Sequence, residues 1–155
     1  MKKSVMVKIQ LYKDILKLIN KTDKKIVVAW GCDCAARVLP YFEKQYPNDS
    51  RPRLAIKAGR RWVKTGVFKM ADIRGASLAS HAAAREVKDN DPARCAARAA
   101  GQAAAAAHVK THAVAAAMYA ATAKRDAAKP DNGDKAAIKE RDRQYKHLLD
   151  LKKHK

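Results

Sequence analysis

Three histidines are the residues of this sequence with the clearest capacity for chemistry. His108 and His112 are four residues apart, so on a helix both imidazoles would lie on one face, as two ligands of one metal ion do. His81 is a candidate third ligand. The sequence has no His-Glu-x-x-His pattern and no carboxylate near the pair to complete such a site. We therefore expect no metal and no other cofactor, and we expect these imidazoles to form hydrogen bonds where helices cross.

Charged residues near the first tryptophan and beside the histidines define a candidate polar pocket. Asp33 and Arg37 have the i, i+4 spacing of a helical ion pair, and beside Trp30 they would fix the orientation of a helix. One turn after the first histidine stands an arginine. The residues of this candidate pocket, whether for a small ligand or for internal hydrogen bonds, are Asp33, Arg37, His81, Arg85, His108 and His112.

The other reactive groups argue against an enzyme. Cys32, Cys34 and Cys95 are an odd number of thiols, and a Cys-x-Cys pair points its two side chains in different directions on a helix. The sequence contains no glycine-rich phosphate loop and no Gly-x-Ser-x-Gly elbow. Lys8 and Lys13 interrupt any apolar core of a signal peptide. We expect a non-catalytic protein with reduced thiols in the cytoplasm.

The most distinct candidate binding feature is a row of cations on one predicted helix. This helix begins at Ser50 or Arg51, has Pro52 in its first turn and ends at Gly66. At about 100° per residue, its cations lie within about 100° of arc, and Trp62 lies on the opposite, apolar side. These cations, which we call the basic stripe, are Arg53, Lys57, Arg60, Arg61 and Lys64.

The whole chain is strongly basic. It has 34 Lys and Arg against 15 Asp and Glu, which gives a net charge of +19. Residues 1–70 carry +12, residues 71–128 carry +3 and residues 129–155 carry +4, so the excess lies in the first half and at the C-terminal end. Such a charge attracts DNA, RNA, anionic lipid or an acidic protein, and electrostatics alone does not choose among them.

Alanine decides the predicted fold class. It accounts for 24 of the 53 residues from 76 to 128, and it is the strongest helix former, whereas strands disfavour it. The longest uncharged run, 111–123, is shorter than the roughly 18 residues of a membrane helix. We predict an all-α protein with a single domain over residues 1–155, a compact antiparallel bundle or stack of helical hairpins. It should have about six or seven helices around an alanine-rich core.

Small residues also predict how these helices pack. Ala97, Gly101 and Ala105 follow one another at four-residue spacing, which lets a neighbouring backbone come close. Each alanine buries little apolar area, so dispersion contacts at short range must supply much of the stability.

The first predicted helices follow from caps and breakers. After a short helix at 14–20, a second begins at the Thr22-Asp23 cap, and Pro40 should kink or end it. Another helix spans about 69–88, and Asp91 should cap the one after it.

The later helices follow from length and composition. Residues 93–128 would form a rod about 54 Å long, too long for a compact domain, so we predict a break near 108–111. A loop at 129–133 precedes a last helix at 134–153, which we expect to dock on the bundle. The apolar stripe of that helix comprises Ile138, Tyr145, Leu148 and Leu149.

One part of the sequence resembles a known family. From Ala29 to Glu43 the chain reads AWGCDCAARVLPYFE, which is similar to the pattern W-x-x-D-C-A-x-x-V-L-P-x-F-E. Further matching positions follow in the same order. Together they resemble the Imm-five-like family of helical immunity proteins in bacterial polymorphic toxin systems. The resemblance covers about residues 25–128. These further positions are Pro47, Asp49, Arg51-Pro52-Arg53, Ala55-Ile56, Trp62, His81–Arg85, Ala96–Gly101, Ala107–Val109, His112-Ala113 and Tyr119-Ala120.

The resemblance implies a cytoplasmic, non-catalytic protein that binds and neutralises a cognate protein toxin. The basic stripe would suit an acidic surface of that toxin, and no membrane partner is expected. Gln102 stands where we expect a histidine after Gly101, which weakens a histidine site shared with the family. Two alternatives stay open: a basic helical protein that binds nucleic acid, and a helical bundle with a small-ligand or metal pocket.

Overall fold

The described part of the chain folds into seven α-helices. A computed structural model describes residues 6–128 and 130–154, and those ranges contain no strand, so the predicted all-α class is confirmed. Residues 1–5, 129 and 155 of the predicted domain, including the first residue of the predicted 129–133 loop, lie outside the described residues. None of the described helices is both long and apolar enough to cross a membrane. The helices are α1 (Lys13–Asn20), α2 (Lys24–Gln45), α3 (Arg51–Thr65), α4 (Met70–Glu86), α5 (Asp91–Ala105), α6 (His112–Ala127) and α7 (Gly133–Lys153), with 3-10 turns at Ile9–Tyr12 and Pro130–Asn132.

Helix α5 is the centre of the bundle, and its buried surface is almost entirely alanine. It packs against α2, α3, α4 and α6. Ala96, Ala100 and Ala103 have no exposed surface, and Gly101 is buried as well. Because no long side chain separates the backbones, four helices contact α5 at short range. The predicted alanine-rich core is therefore confirmed.

Glycines mark the closest crossings between these helices. A β-carbon at Gly59 of α3 would lie 2.7 Å from the Cys32 Sγ of α2 and 3.3 Å from the Ala103 carbonyl oxygen of α5. A β-carbon at Gly31 of α2 would lie 2.9 Å from the Ala113 Cβ of α6. Any larger residue at these two positions would force the helices apart.

Two serines fix α4 on α5. The Ser77 hydroxyl donates to the Gly101 carbonyl oxygen at 2.9 Å, and the Ser80 hydroxyl donates to the Ala97 carbonyl oxygen at 2.7 Å. Both acceptors belong to the predicted row of small residues on α5. The hydroxyls can reach these carbonyls because no side chain on α5 keeps α4 away.

Most predicted helix ends are confirmed. Asp23 caps α2, since its carboxylate accepts from the Lys25 amide at 2.8 Å. Gly66 ends α3 in the left-handed conformation with a φ of 68°. The predicted break before α6 is also present, because α5 ends at Ala105 and residues 106–111 form turns.

Pro40 was predicted to kink or end α2, and it does not end the helix, which continues for more than another turn. Burial of Phe42 in the core outweighs the hydrogen bond that a proline cannot donate. The predicted cap of α5 is wrong. The cap of α5 is Asn90 rather than Asp91, since the Asn90 side chain accepts from the Ala93 amide at 3.0 Å. Asp91 is instead the first residue of the helix.

Reciprocal lysines tie the turn before α6 to the turn before α2. The Lys110 Nζ donates to the carbonyl oxygens of Asn20 and Thr22 at 3.3 and 3.1 Å. The Lys24 Nζ donates to the His108 carbonyl oxygen at 3.1 Å. These bonds satisfy carbonyls at the end of α1 and in the two turns, and they fix the position of the turn that carries His108.

Helix α7 docks on the bundle, but only Tyr145 and Leu148 of the predicted stripe pack against the core. Of the predicted stripe, Leu148 is fully buried, whereas Ile138 is 47% exposed and Leu149 is 36% exposed. The buried face of α7 consists instead of Ala137, Glu140, Gln144 and Leu148, in addition to Gly133 at its start. Two of these side chains are polar, which is why an apolar stripe did not reveal the docking face.

Gln144 is the central anchor of α7. Its side-chain oxygen accepts from the Tyr12 hydroxyl at 2.6 Å, and its amide nitrogen donates to the Ala117 carbonyl oxygen at 3.0 Å. Its backbone oxygen accepts from the Trp30 Nε1 at 2.8 Å. Burial strongly raises the pKa of Tyr12, so the phenol stays a donor. One glutamine thus joins the N-terminal segment, α2, α6 and α7.

Gln144→Leu should lower the free energy of unfolding by about 2 kcal/mol, because the Tyr12 hydroxyl would keep only its 3.3 Å contact with the Ala117 carbonyl oxygen. Tyr12→Phe together with Gln144→Leu should cost less than the sum of the two single changes, since it removes both polar partners. Urea unfolding followed by circular dichroism measures all three variants. Strictly additive costs would show that the two side chains do not act as a pair.

Gly59→Ala should destabilise the protein by about 1–3 kcal/mol, because the Ala103 carbonyl oxygen that the new methyl group meets belongs to a packed helix. Gly75 of α4 is the matched control, since nothing lies within 4 Å of a β-carbon built there. Gly75→Ala should stabilise by roughly 0.5–1 kcal/mol through helix propensity. Thermal unfolding compares the two, and equal effects would contradict the close crossing at Gly59.

Candidate functional site

The basic stripe lies on the outer side of α3, and only part of it is free. Arg53 donates to both carboxylate oxygens of Glu43 on α2, at 2.7 and 2.5 Å. Arg60 donates to Asp33 of α2 at 2.9 Å. The other three cations are exposed, and no acidic side chain within 6–128 and 130–154 pairs with them. These free α3 cations are Lys57, Arg61 and Lys64.

Asp33 joins three helices. Its Oδ1 accepts from Arg60 of α3, and its Oδ2 lies 2.8 Å from the His147 Nε2 of α7. The predicted i, i+4 pair with Arg37 is not formed, because partners on other helices take both carboxylate oxygens. Helices α3, α2 and α7 therefore form one continuous face of the molecule, with α2 in the middle.

Arg37 instead fixes α7 through Glu140. Its Nε and Nη2 each donate to one carboxylate oxygen of Glu140 at 3.0 Å. The Glu140 side chain is only 3% exposed, and its bond raises the pKa of Arg37. A planar guanidinium satisfies both oxygens at once, so a buried carboxylate is tolerated here.

A groove of about 920 Å³ lies between α2 and α7 beside this ion pair. Buried Cys34 and Gln144 line it together with the half-exposed Ile138. We call it the α2–α7 groove. Four exposed cations of α7 also line it, namely Lys135, Lys139, Arg143 and Lys146.

The residues of the predicted polar pocket lie in separate places. Asp33 and Arg37 are on the α2 face just described, while the other four are near α4 and the turn between α5 and α6. Those four are His81, Arg85, His108 and His112. Within 6–128 and 130–154, no group of three or more His, Cys, Asp or Glu side chains is arranged to hold a metal ion.

His81 is part-buried between α4 and α5. The Arg98 Nη1 lies 2.9 Å from its Nδ1, and a β-carbon at Gly101 would lie 2.8 Å from its Nε2. Because arginine only donates, the Nδ1 accepts and the ring is neutral. Burial, followed by the charges of Arg98 and Arg85, lowers the pKa of His81 to about 4.

His108 and His112 lie at the turn between α5 and α6. The His112 Nδ1 is 2.9 Å from the Gln102 Oε1, so the ring donates to the amide oxygen. Burial, followed by the charge of His108, lowers the pKa of His112. The His108 ring stacks on Phe68 with centroids 5.9 Å apart. Both histidines line a cleft of about 280 Å³ against α4, where Arg74 also faces it.

The family of the chain follows from comparison with known proteins. The family model described as Imm-5 like putative immunity protein matches residues 17–151. The chain belongs to this family. The match includes almost all of α7, beyond the resemblance at about 25–128. No curated protein and no solved structure matches the chain.

In this Imm-5 like chain, the residues that carry the motif resemblance hold the fold together. Trp30 anchors α7, Asp33 joins α3 and α7 to α2, and Glu43 binds the first turn of α3. Arg51 donates to the carboxylate of Glu86 on α4 at 2.7 Å. These side chains are all engaged in contacts within the molecule.

Sequence reasoning missed the polar docking residues of α7. Glu140, Gln144 and Leu148 follow one another at four-residue spacing, which places them on one helical face. That spacing could have indicated the docking face, but two of the three residues are polar, and only apolar residues were expected to mark such a face. Gln102, which stands where a histidine was expected, is the hydrogen-bond partner of His112.

Stability should fall as the pH is lowered from about 6.5 towards 5, because His81 binds a proton in the unfolded chain at 6.5 but in the folded protein only near 4. Above 6.5 the ring is neutral in both states and this contribution is complete. Water reaches part of the ring, so we expect a loss of about 1 kcal/mol.

His81→Gln keeps an acceptor for Arg98 but does not titrate, so it should flatten this pH dependence. His154→Gln is the control, since His154 is exposed and lies near the end of the chain. Unfolding in urea at pH 7, 6 and 5 measures the slope. The same slope in wild type and His81→Gln would contradict a neutral, part-buried His81.

Proposed function

We propose that this protein is a non-catalytic immunity protein that binds and neutralises a cognate protein toxin in the cytoplasm. Membership of the Imm-5 like family supports the class of function. The observation that supports a binding surface is the set of free α3 cations, which are exposed and have no acidic partner in the described ranges. The three cysteines are buried and unpaired, which fits a reducing compartment.

The free α3 cations are presented by a helix that is already fixed. Arg53 and Arg60 bind α3 to α2, Arg51 binds it to α4, and buried Gly59 packs against α5. Little backbone conformational entropy is lost when a helix fixed in this way binds a partner. We expect an acidic toxin surface, because opposite charges steer encounter and fix orientation more than they add affinity.

Neutralisation would come from covering the toxin rather than from chemistry. The ionisable groups closest to this face are engaged in the fold: Asp33 holds Arg60 and His147, and Glu140 holds Arg37. A group used in this way positions helices and is not poised to transfer a proton to a bound molecule.

A triple charge reversal tests the surface: Lys57→Glu, Arg61→Glu and Lys64→Glu. Co-expressed with the toxin encoded by the adjacent gene, this variant should lose protection of the cell. The Kd of the purified pair should rise by roughly 100-fold, because three opposed charges become three like charges.

The matched control changes the charge by the same amount on α1 and its C-cap: Lys13→Glu, Lys17→Glu and Lys21→Glu, all exposed positions. It should protect as wild type does, and circular dichroism should show both variants folded. Full protection by the α3 variant would remove the basic stripe from the interface. Tight binding to a DNA or RNA duplex that weakens steeply with salt, with no complex with the toxin, would instead favour the nucleic-acid alternative.

A further inference from the structure

The α2–α7 groove has more positive charge than its own acidic residues neutralise. Asp33 accepts from Arg60 and lies 2.8 Å from the His147 Nε2, and Asp142 accepts from Arg141 at 2.9 Å. Asp150 is the remaining carboxylate of the lining. Against it stand four exposed cations that form no ion pair with any described residue, namely Lys135, Lys139, Arg143 and Lys146.

The spacing of these cations matches an extended chain. Lys135, Lys139 and Arg143 follow one another at four-residue steps on α7, so each step rises about 6 Å along the helix. Every second side chain of an extended peptide lies on the same side, at a repeat of about 6.6 Å. Alternate acidic residues of such a peptide would therefore meet successive cations of the groove.

The length and apolar part of the groove favour a peptide over nucleic acid. From Lys135 to Asp150 the lining extends about 22 Å along α7, enough for six or seven extended residues. Ile138 is 47% exposed within the lining and offers apolar contact. Among the described residues that line the groove there is no Phe, Tyr or Trp on which a base could stack.

We propose that the α2–α7 groove binds an extended segment of a partner protein with acidic side chains at alternate positions. The inference goes beyond the proposed function, because it concerns a different surface and does not require that the free α3 cations contact the toxin. The groove and the basic stripe meet at Asp33, so one partner is able to occupy both.

A defined peptide tests the groove without any toxin. The probe is a fluorescein-labelled peptide of Glu-Leu repeats, and its comparison peptide has the same composition with all Glu residues in one block. Fluorescence anisotropy at about 50 mM salt should show at least fivefold tighter binding of the alternating peptide, because only its carboxylates match the helical repeat. Ile138→Ser should weaken that binding by roughly fivefold through lost apolar contact.

The charge test is Lys135→Glu, Lys139→Glu and Arg143→Glu, which should weaken binding of the alternating peptide by at least about 30-fold. The Lys13/Lys17/Lys21 triple variant, which carries the same charge change, should weaken it less than about threefold. Equal losses in the two variants, equal binding of the two peptides, or tighter binding of an oligothymidylate of the same charge would overturn the proposal. Because none of these measurements involves the toxin, they leave the test of the free α3 cations independent.

Discussion

The structure depends on the short distance between helix backbones around α5. A β-carbon at Gly59 of α3 would lie 3.3 Å from the Ala103 carbonyl oxygen of α5, and one at Gly31 of α2 would lie 2.9 Å from the Ala113 Cβ of α6. The buried positions of α5 are almost all alanine. Dispersion contacts between backbones and methyl groups therefore supply the cohesion that long apolar side chains give to other bundles. Two of the largest buried side chains, Tyr12 and Trp30, donate hydrogen bonds to Gln144 of the outer helix α7.

A core of this kind gives the outer helices little apolar surface to pack against. Hydrogen bonds and ion pairs therefore hold the outer helices in place. Gln144 bonds to three elements, Glu140 receives the fork of Arg37, and Asp33 is shared between α3 and α7. Within the described residues, no buried side-chain nitrogen or oxygen lacks a hydrogen-bond partner. That completeness matters, because a buried polar group without a partner destabilises a fold by more than a satisfied one stabilises it.

The parts of this fold that were predictable from the sequence are those decided locally. Alanine content fixes the helical class, Asp23 and Gly66 fix helix ends, and the helical period places the basic stripe on one side of α3. The polar face of α7 and the partners of Asp33 were not predictable, since both depend on how separate helices lie against each other. The i, i+4 spacing predicts an ion pair such as Asp33–Arg37 correctly only when no residue of another helix binds the same carboxylate.

Arginine and lysine have different tasks in this protein, and that difference decides which charges reach a partner. Every ion pair between described residues uses an arginine or a histidine. The planar guanidinium forms two parallel bonds to a carboxylate, whereas the lysine ammonium is a strongly hydrated point charge on a flexible stem. Arginines such as Arg37 and Arg53 therefore form ion pairs that hold the helices together. The cations of α3 and α7 that remain free are mostly lysines. Because no acidic side chain in the described part of the chain neutralises them, their electrostatic field would attract an acidic partner before contact is made.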